Sequence, residues 1–254
     1  MIDVNVTLSR WPFRRLPADE PAALVAALRK RGVTEAWAAS FDGIFHKDLA
    51  AANGRLAKDC RTYGEGMLLP FGSVNPKLPD WQEDLRRCHE EHRMRGIRLY
   101  PNYHGYKLDD PSFSQLLHLA SARGLIVQLA VQMEDDRTQP ALMRVPPVDL
   151  APLADAIRRE PKLRLLILNS NLLRDAEISP FTSAAGVSFD CSWIEGLGGL
   201  ARFARKVSIR KVLFGSNFPL FYFDSALLKV KESGFSDAEK EVVLDGNAQS
   251  LLAP

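Results

Sequence analysis

The sequence predicts an α/β fold in which eight parallel strands close into a (β/α)8 TIM barrel. Three observations predict it. Eight short apolar runs of strand length recur along the 254 residues, helical patterns lie between most of them, and no repeat, low-complexity tract or Pro/Gly-rich linker divides the chain. Strands that alternate with helices pair in parallel through right-handed crossovers, and eight of them close a barrel. The expectation is one domain over residues 1–254.

The strand candidates, in order, are IDVNVT from Ile2, TEAWAAS from Thr34, MLLPFGSV from Met67, GIRLYP from Gly96, LIVQLAVQ from Leu125, LRLLILN from Leu163, VSFDCSW from Val187 and VLFGSN from Val212. Each is short, rich in apolar residues and bounded by Gly, Pro, Asn or Ser, as strands are. Helical spacing marks PAALVAALRKRG from Pro21, stopped by Gly32, then WQEDLRRCHEEHRMRG ending at Gly96 and FSQLLHLASARG ending at Gly124. The last helix starts at Ser236-Asp237-Ala238-Glu239, a capping box. Prolines follow strand ends at Asn75-Pro76, Tyr100-Pro101 and Phe218-Pro219, where a missing N–H ends pairing at little cost.

Side chains alternate along a strand, so the apolar parity predicts the faces. Ile2, Val4 and Val6 should face the helices and turn Asp3, Asn5 and Thr7 inward. Ile97 and Leu99 outside put Arg98 and Tyr100 inside. Val127, Leu129 and Val131 leave Gln128, Ala130 and Gln132 inside, Leu166 and Leu168 outside leave Asn169 inside, and Val187, Phe189 and Cys191 direct Ser188, Asp190 and Ser192 inward. Asp3, Arg98 and Gln128 would lie deep and fill the barrel. Asn5, Thr7, Tyr100, Gln132, Asn169 and Asn217 would lie nearer the C-terminal ends of the strands, where barrel enzymes keep their ligands.

Composition excludes several classes. Thirty-three basic residues against 31 acidic ones give a net charge of +2, too weak a field to imply a nucleic-acid or membrane partner. Cys60, Cys88 and Cys191 form no CxxC pair and read as reduced thiols. No run reaches 18 uninterrupted apolar residues and no cleavable leader is visible, so a cytoplasmic protein is expected. Asn5-Val6-Thr7 spells a glycosylation sequon, but within a core strand it is read as structural.

GSVNPKLPDW, RGIRLYPNYHGYKLDDPSFSQLLHLASARGLIVQL, EPKLRLLILN, VSFDCSW, VLFGSNFP and SDAEKEVVLDGNAQSLL resemble the amidohydrolase superfamily, in its amidohydrolase-related branch of decarboxylases and lactonases. The similarity runs nearly end to end. It implies the barrel fold, frequent dimerisation, and a metal-assisted hydrolase or decarboxylase with a divalent cation at the C-terminal face. The usual ligands are a His-x-His pair ending the first strand, His ending the fifth and often the sixth, and Asp ending the eighth. Carried onto this sequence the pair falls on Asn5 and Thr7, the fifth-strand histidine on Ala130, the sixth on Asn169 and the aspartate on Asn217. Amides, an alcohol and a methyl supply neither the charge nor the softness that hold zinc or manganese. No metal ligand and no cofactor is therefore expected, and MIDVNVT reads as a metal pocket converted to neutral hydrogen-bonding groups.

His46, His89, His92, His104 and His118 are the remaining imidazoles. His89, His92 and His118 lie on helical stretches and read as outer-face residues. His104, in PNYHGY after the fourth strand, is a candidate general acid or base or a loop histidine; His46, in FDGIFHKD, lies on the same side, and the two could take a metal with Asp42 or Asp48 only without any recognisable spacing. Asp190 is the second proton-transfer candidate. Arg98 either pairs with Asp190 as a buried ion pair or clamps an anionic ligand. Trp11, in RWPFRR after the first strand, could wall a pocket as part of a lid; EDDRTQPALMRVPPV is a long loop, with Met143-Arg144 and FPLFYFD as candidate contacts of a homodimer or ligand wall. Three functions stay open: a metal-independent, lactonase-like hydrolase or lyase; an inactive homologue that binds a small polar or acidic metabolite; and a structural or assembly pseudoenzyme without a small-molecule ligand.

Overall fold

The computed structural model describes residues 1–171 and 175–253. Among the described residues eight strands follow one another around a single sheet in sequence order: β1 (Ile2–Leu8), β2 (Glu35–Ser40), β3 (Leu68–Ser73), β4 (Gly96–Leu99), β5 (Ile126–Ala130), β6 (Arg164–Leu168), β7 (Val187–Asp190) and β8 (Val212–Leu213). Every neighbouring pair from β1 to β8 is parallel. The ring is completed where the chain after β8 meets β1: Val4 N–H donates to the Phe214 carbonyl, Thr7 N–H to that of Phe218, each at 3.0 Å, and Val6 and Phe218 form a parallel bridge. The expected (β/α)8 barrel is thus present, with each predicted run trimmed at its ends. The helix from Pro21 ends at Lys30, the next predicted one is α-helical over Trp81–Arg86 and passes into a π-type turn to Glu91, and Ser236 and Glu239 cap the helix Asp237–Glu241 reciprocally.

Two apolar layers define the barrel wall. Ile97, Leu99, Val127, Leu129, Val187 and Phe189 pack outward with helix residues such as Leu24, Leu28 and Leu116. A second cluster joins Ile2 and Val4 to Trp37, Phe71, Ile126, Leu166, Leu168 and Leu213. Side chains from strands so far apart around the ring meet only inside it, so this cluster is the lower interior, and Leu251 and Leu252 of the last helix pack against it.

That cluster corrects two predicted faces. In β1 the pairing register with β2 slips between Asp3 and Val6, a bulge that turns Ile2 and Val4 inward and leaves only Val6 of the three outside. Asp3, expected inside, instead sits in the β1–β8 seam: Oδ1 accepts from the backbone N–H of Asn5 and of Ser216, each at 3.0 Å, and Oδ2 from the Ser216 hydroxyl. The carboxylate thereby replaces ladder acceptors that the bulge and the two-residue β8 cannot supply. In β6, Leu166 and Leu168 point inward while Leu165 and Ile167 point out, because a strand buried on both faces is apolar on both and its parity carries no direction. Parity holds for β4, β5 and β7, where one face carries Arg98, Gln128 and Asp190.

Candidate functional site at the barrel mouth

Above the lower apolar layer Arg98 fans across the interior. Its Nε donates to Gln128 Oε1 at 2.7 Å, Nη1 to Thr7 Oγ1 at 3.2 Å and the Val6 carbonyl at 3.3 Å, and Nη2 to the carbonyls of Trp37 at 3.2 Å and Val4 at 3.5 Å. All five N–H donors of the guanidinium are thus engaged. Gln128 in turn donates to the Val4 carbonyl at 2.8 Å. Burial lowers the Arg98 pKa below its ordinary value, with the charges of Tyr100 and Asp190 opposing. Of the two alternatives for Arg98, the ion pair with Asp190 does not form: its donors go to Gln128, Thr7 and the carbonyls of Val4, Val6 and Trp37. Arg98 is a tie between strands, not a free clamp.

Asp190 takes different partners. Its Oδ2 accepts from Asn5 Nδ2 at 2.8 Å and its Oδ1 from the Asn169 backbone N–H at 2.8 Å. Burial raises its pKa, against those hydrogen bonds. Asn5 Nδ2 also donates to Asn169 Oδ1 at 2.7 Å, which accepts a second bond from the Ser192 hydroxyl at 2.9 Å. Asn169 Nδ2 donates to the Gln132 carbonyl at 2.8 Å, so Gln132 enters the network through its backbone. Asn169 reaches the interior although Leu168 also faces inward, because its backbone turns left-handed at φ 57°, a conformation asparagine tolerates. Asn217 does the same at φ 55°, and its Nδ2 donates to the Met133 carbonyl at 3.4 Å. Between these strands Gly215 is obligatory: a Cβ there would fall 2.7 Å from Asp190 Oδ2 and 3.0 Å from the Asn5 Cβ.

The mouth is roofed by apolar side chains. Trp11, 3% exposed, packs with Phe41, Ile44, Tyr100, Ala130 and Met133, its ring edge-on to those of Phe13, Phe41 and Phe45. The loop that carries Trp11 is tied across the opening by an ion pair between half-exposed Arg14 and buried Glu134. Burial raises the Glu134 pKa and Arg14 opposes it. Sequence reasoning missed Glu134: it stands in QMEDD beside two other acids, and only its burial separates it from exposed Asp136. Two buried amide oxygens, Asn5 Oδ1 and Asn217 Oδ1, have no hydrogen-bond partner, whereas the Tyr100 hydroxyl lies against Arg98 and Trp11 against Glu134.

His104 does not reach this network. Its Nε2 donates to the Gly43 carbonyl at 3.0 Å, leaving Nδ1 without a proton or a partner, and burial lowers its pKa to about 4. Arg55 bridges Asp42, at 2.9 Å, and His46 Nδ1, at 3.2 Å, which places a cation where the two histidine loops could have offered a metal their ligands. His118 pairs with Glu160 on the outer face. Among the described residues no three His, Cys, Asp or Glu side chains gather in a group able to hold a metal ion. Cys60, Cys88 and Cys191 are free and buried. In FPLFYFD, Phe218 and Phe223 pack under Arg31, Phe221 lies 5.0 Å from Trp193 and Tyr222 is exposed. No described helix is long and apolar enough to cross a membrane.

The amidohydrolase family's sequence model matches residues 8–253. The chain belongs to the amidohydrolase family. Solved structures share the fold of this amidohydrolase at low identity. The 5-carboxyvanillate decarboxylase of Sphingomonas paucimobilis is 14% identical with a TM-score of 0.74, over 99% of this chain and 98% of the other. The 2,6-dihydroxybenzoate decarboxylase of Rhizobium is 11% identical, with a TM-score of 0.74 and coverage of 98% of both chains. A dihydroxybenzoic acid decarboxylase of Polaromonas sp. JS666, solved with manganese and 2-nitroresorcinol, is 13% identical with a TM-score of 0.69, over 90% of this chain and 84% of the other. No curated protein matches the chain.

Proposed function

We propose that this amidohydrolase binds a small polar or acidic metabolite at the barrel mouth without the metal-activated chemistry its family implies. One observation carries the reading: the Asn5 amide points its N–H groups at both Asp190 and Asn169. A cation at the inherited position would face those hydrogens, with the Asp190 oxygens already accepting bonds and amide, alcohol and methyl groups at the remaining positions. The donor set does not fit a zinc or manganese ion. It fits a pocket floor of fixed hydrogen-bonding groups under an aromatic roof. The decarboxylases that share the fold are named for small acidic aromatic compounds, which supports a ligand of that size.

A metal-independent hydrolase is the second reading, and the place of Asp190 favours it, a carboxyl on the inner face beside Asn5 and Asn169 whose pKa burial raises. His104 is less suited, held neutral and turned to Gly43. Elemental analysis of purified protein, with thermal shifts across lactones, aromatic acids and sugar acids, tests both. The expected result is substoichiometric transition metal and a saturable shift with at least one compound. A stoichiometric, tightly held transition ion overturns the proposal. Lactone turnover that Asp190→Asn abolishes replaces binding by catalysis, and the absence of both shift and turnover leaves the assembly role.

A further inference from the structure

The unpartnered atoms of the mouth are arranged, and their arrangement describes a ligand. Val6 and Phe218 are bridge partners in parallel segments, so Asn5 and Asn217, which precede them, lie on neighbouring segments where the chain after β8 meets β1. Their amides are oriented by what they donate to: Asn5 Nδ2 to Asp190 and Asn169, Asn217 Nδ2 to the Met133 carbonyl. Each amide is therefore left with its oxygen as the unused end, buried at 0% and 1% residue exposure and without a partner. A buried acceptor left unmet is unfavourable until a donor reaches it.

The apolar cluster of Trp11, Tyr100, Ala130 and Met133 adjoins them through Met133, whose carbonyl already holds Asn217. We propose that the mouth takes an uncharged ligand with two neighbouring O–H or N–H donors on a flat apolar body, the donors meeting Asn5 Oδ1 and Asn217 Oδ1. Charge decides against the alternatives. A carboxylate cannot donate to amide oxygens and would meet Asp190. A cation would approach buried Arg98, which touches Thr7 on the same strand as Asn5 and has no carboxylate among its hydrogen-bond partners. The two amide oxygens are sealed from solvent, so entry displaces the Trp11 loop and its Arg14–Glu134 tie.

This inference rests on the binding reading and narrows its ligand. The probes are 1,2-dihydroxybenzene under reducing conditions, 1,2-dimethoxybenzene, benzoate and calcium chloride, each titrated calorimetrically into the purified chain. Saturable 1:1 binding of 1,2-dihydroxybenzene is expected, with the dimethyl ether at least about tenfold weaker because it has the same shape and no donors. Asn217→Gly keeps the left-handed backbone while removing the amide, and should weaken binding by a similar factor. The inference is overturned if the diol and its dimethyl ether bind alike, if 1,2-dihydroxybenzene does not bind, or if a folded Asn217→Gly binds it unchanged. Benzoate or calcium binding in its place also overturns it; benzoate binding leaves the binding reading standing, whereas stoichiometric transition metal in the purified chain removes both. Should Asn217→Gly fail to fold, the comparison of the two probes on the wild type still decides.

Discussion

The lower interior of the barrel and its mouth are built from similar residues to opposite effect. Below, Arg98 has five donors and five acceptors, Gln128 closes onto β1, and Asp3 accepts three bonds in the seam. Above, Asn5 and Asn217 each keep a buried amide oxygen without a partner. Full pairing ties the strands together, whereas an unmet acceptor in an equally buried place stays open to a donor.

The largest effect should come from below. Arg98→Met strands Gln128, Thr7 and three carbonyls at once and should cost about 3–5 kcal/mol in denaturant unfolding; a loss under about 1 kcal/mol would erase the distinction. Gly215→Ala, at the join of the two regions, should cost about 1–3 kcal/mol as its Cβ displaces Asp190, visible in unfolding and in lost ligand response.

The pH dependence sharpens the contrast further. Burial lifts the Asp3 pKa from 3.8 to about 7, so the folded chain holds a proton that the unfolded chain has released; its contribution is present at low pH and lost as pH rises between those values. Burial depresses the His104 pKa from 6.5 to about 4, so its contribution is present above 6.5 and lost as pH falls toward 4. The two oppose each other in wild type, and difference curves separate them. Relative to wild type, Asp3→Asn should gain on the order of 2–4 kcal/mol as pH rises across its window, and His104→Gln should lose a comparable amount across its own, followed by thermal unfolding at fixed ionic strength. The smallest effect belongs to the mouth. Tyr100→Phe removes a hydroxyl beside the Arg98 guanidinium, whose five donors already have acceptors, and should cost no more than about 1 kcal/mol in denaturant unfolding.

Much of the barrel was legible from local pattern. The eight runs, their order, the capping box at Ser236 and the faces of β4, β5 and β7 follow from period-two alternation and turn chemistry, each set within a few residues. The faces of β1 and β6 were not. A bulge leaves no signature in IDVNVT, and LRLLILN is apolar on both sides. The choice of Asn5, Thr7, Arg98, Tyr100, Asn169, Asp190 and Asn217 as interior residues was sound, while the roles given to Arg98 and His104 changed once their partners were visible.

The sequence by itself determined the barrel, its family and its near-neutral charge, because strand length, alternation and composition are carried by neighbouring residues. Tertiary structure decided which polar groups are satisfied. Asn5 meets Asn169 across 164 residues and Asp190 across 185, and Glu134 meets Arg14 across 120. A hydrogen bond depends on distance and direction between groups that the fold alone brings together, so a chain can display its donors and acceptors without revealing which of them are left over.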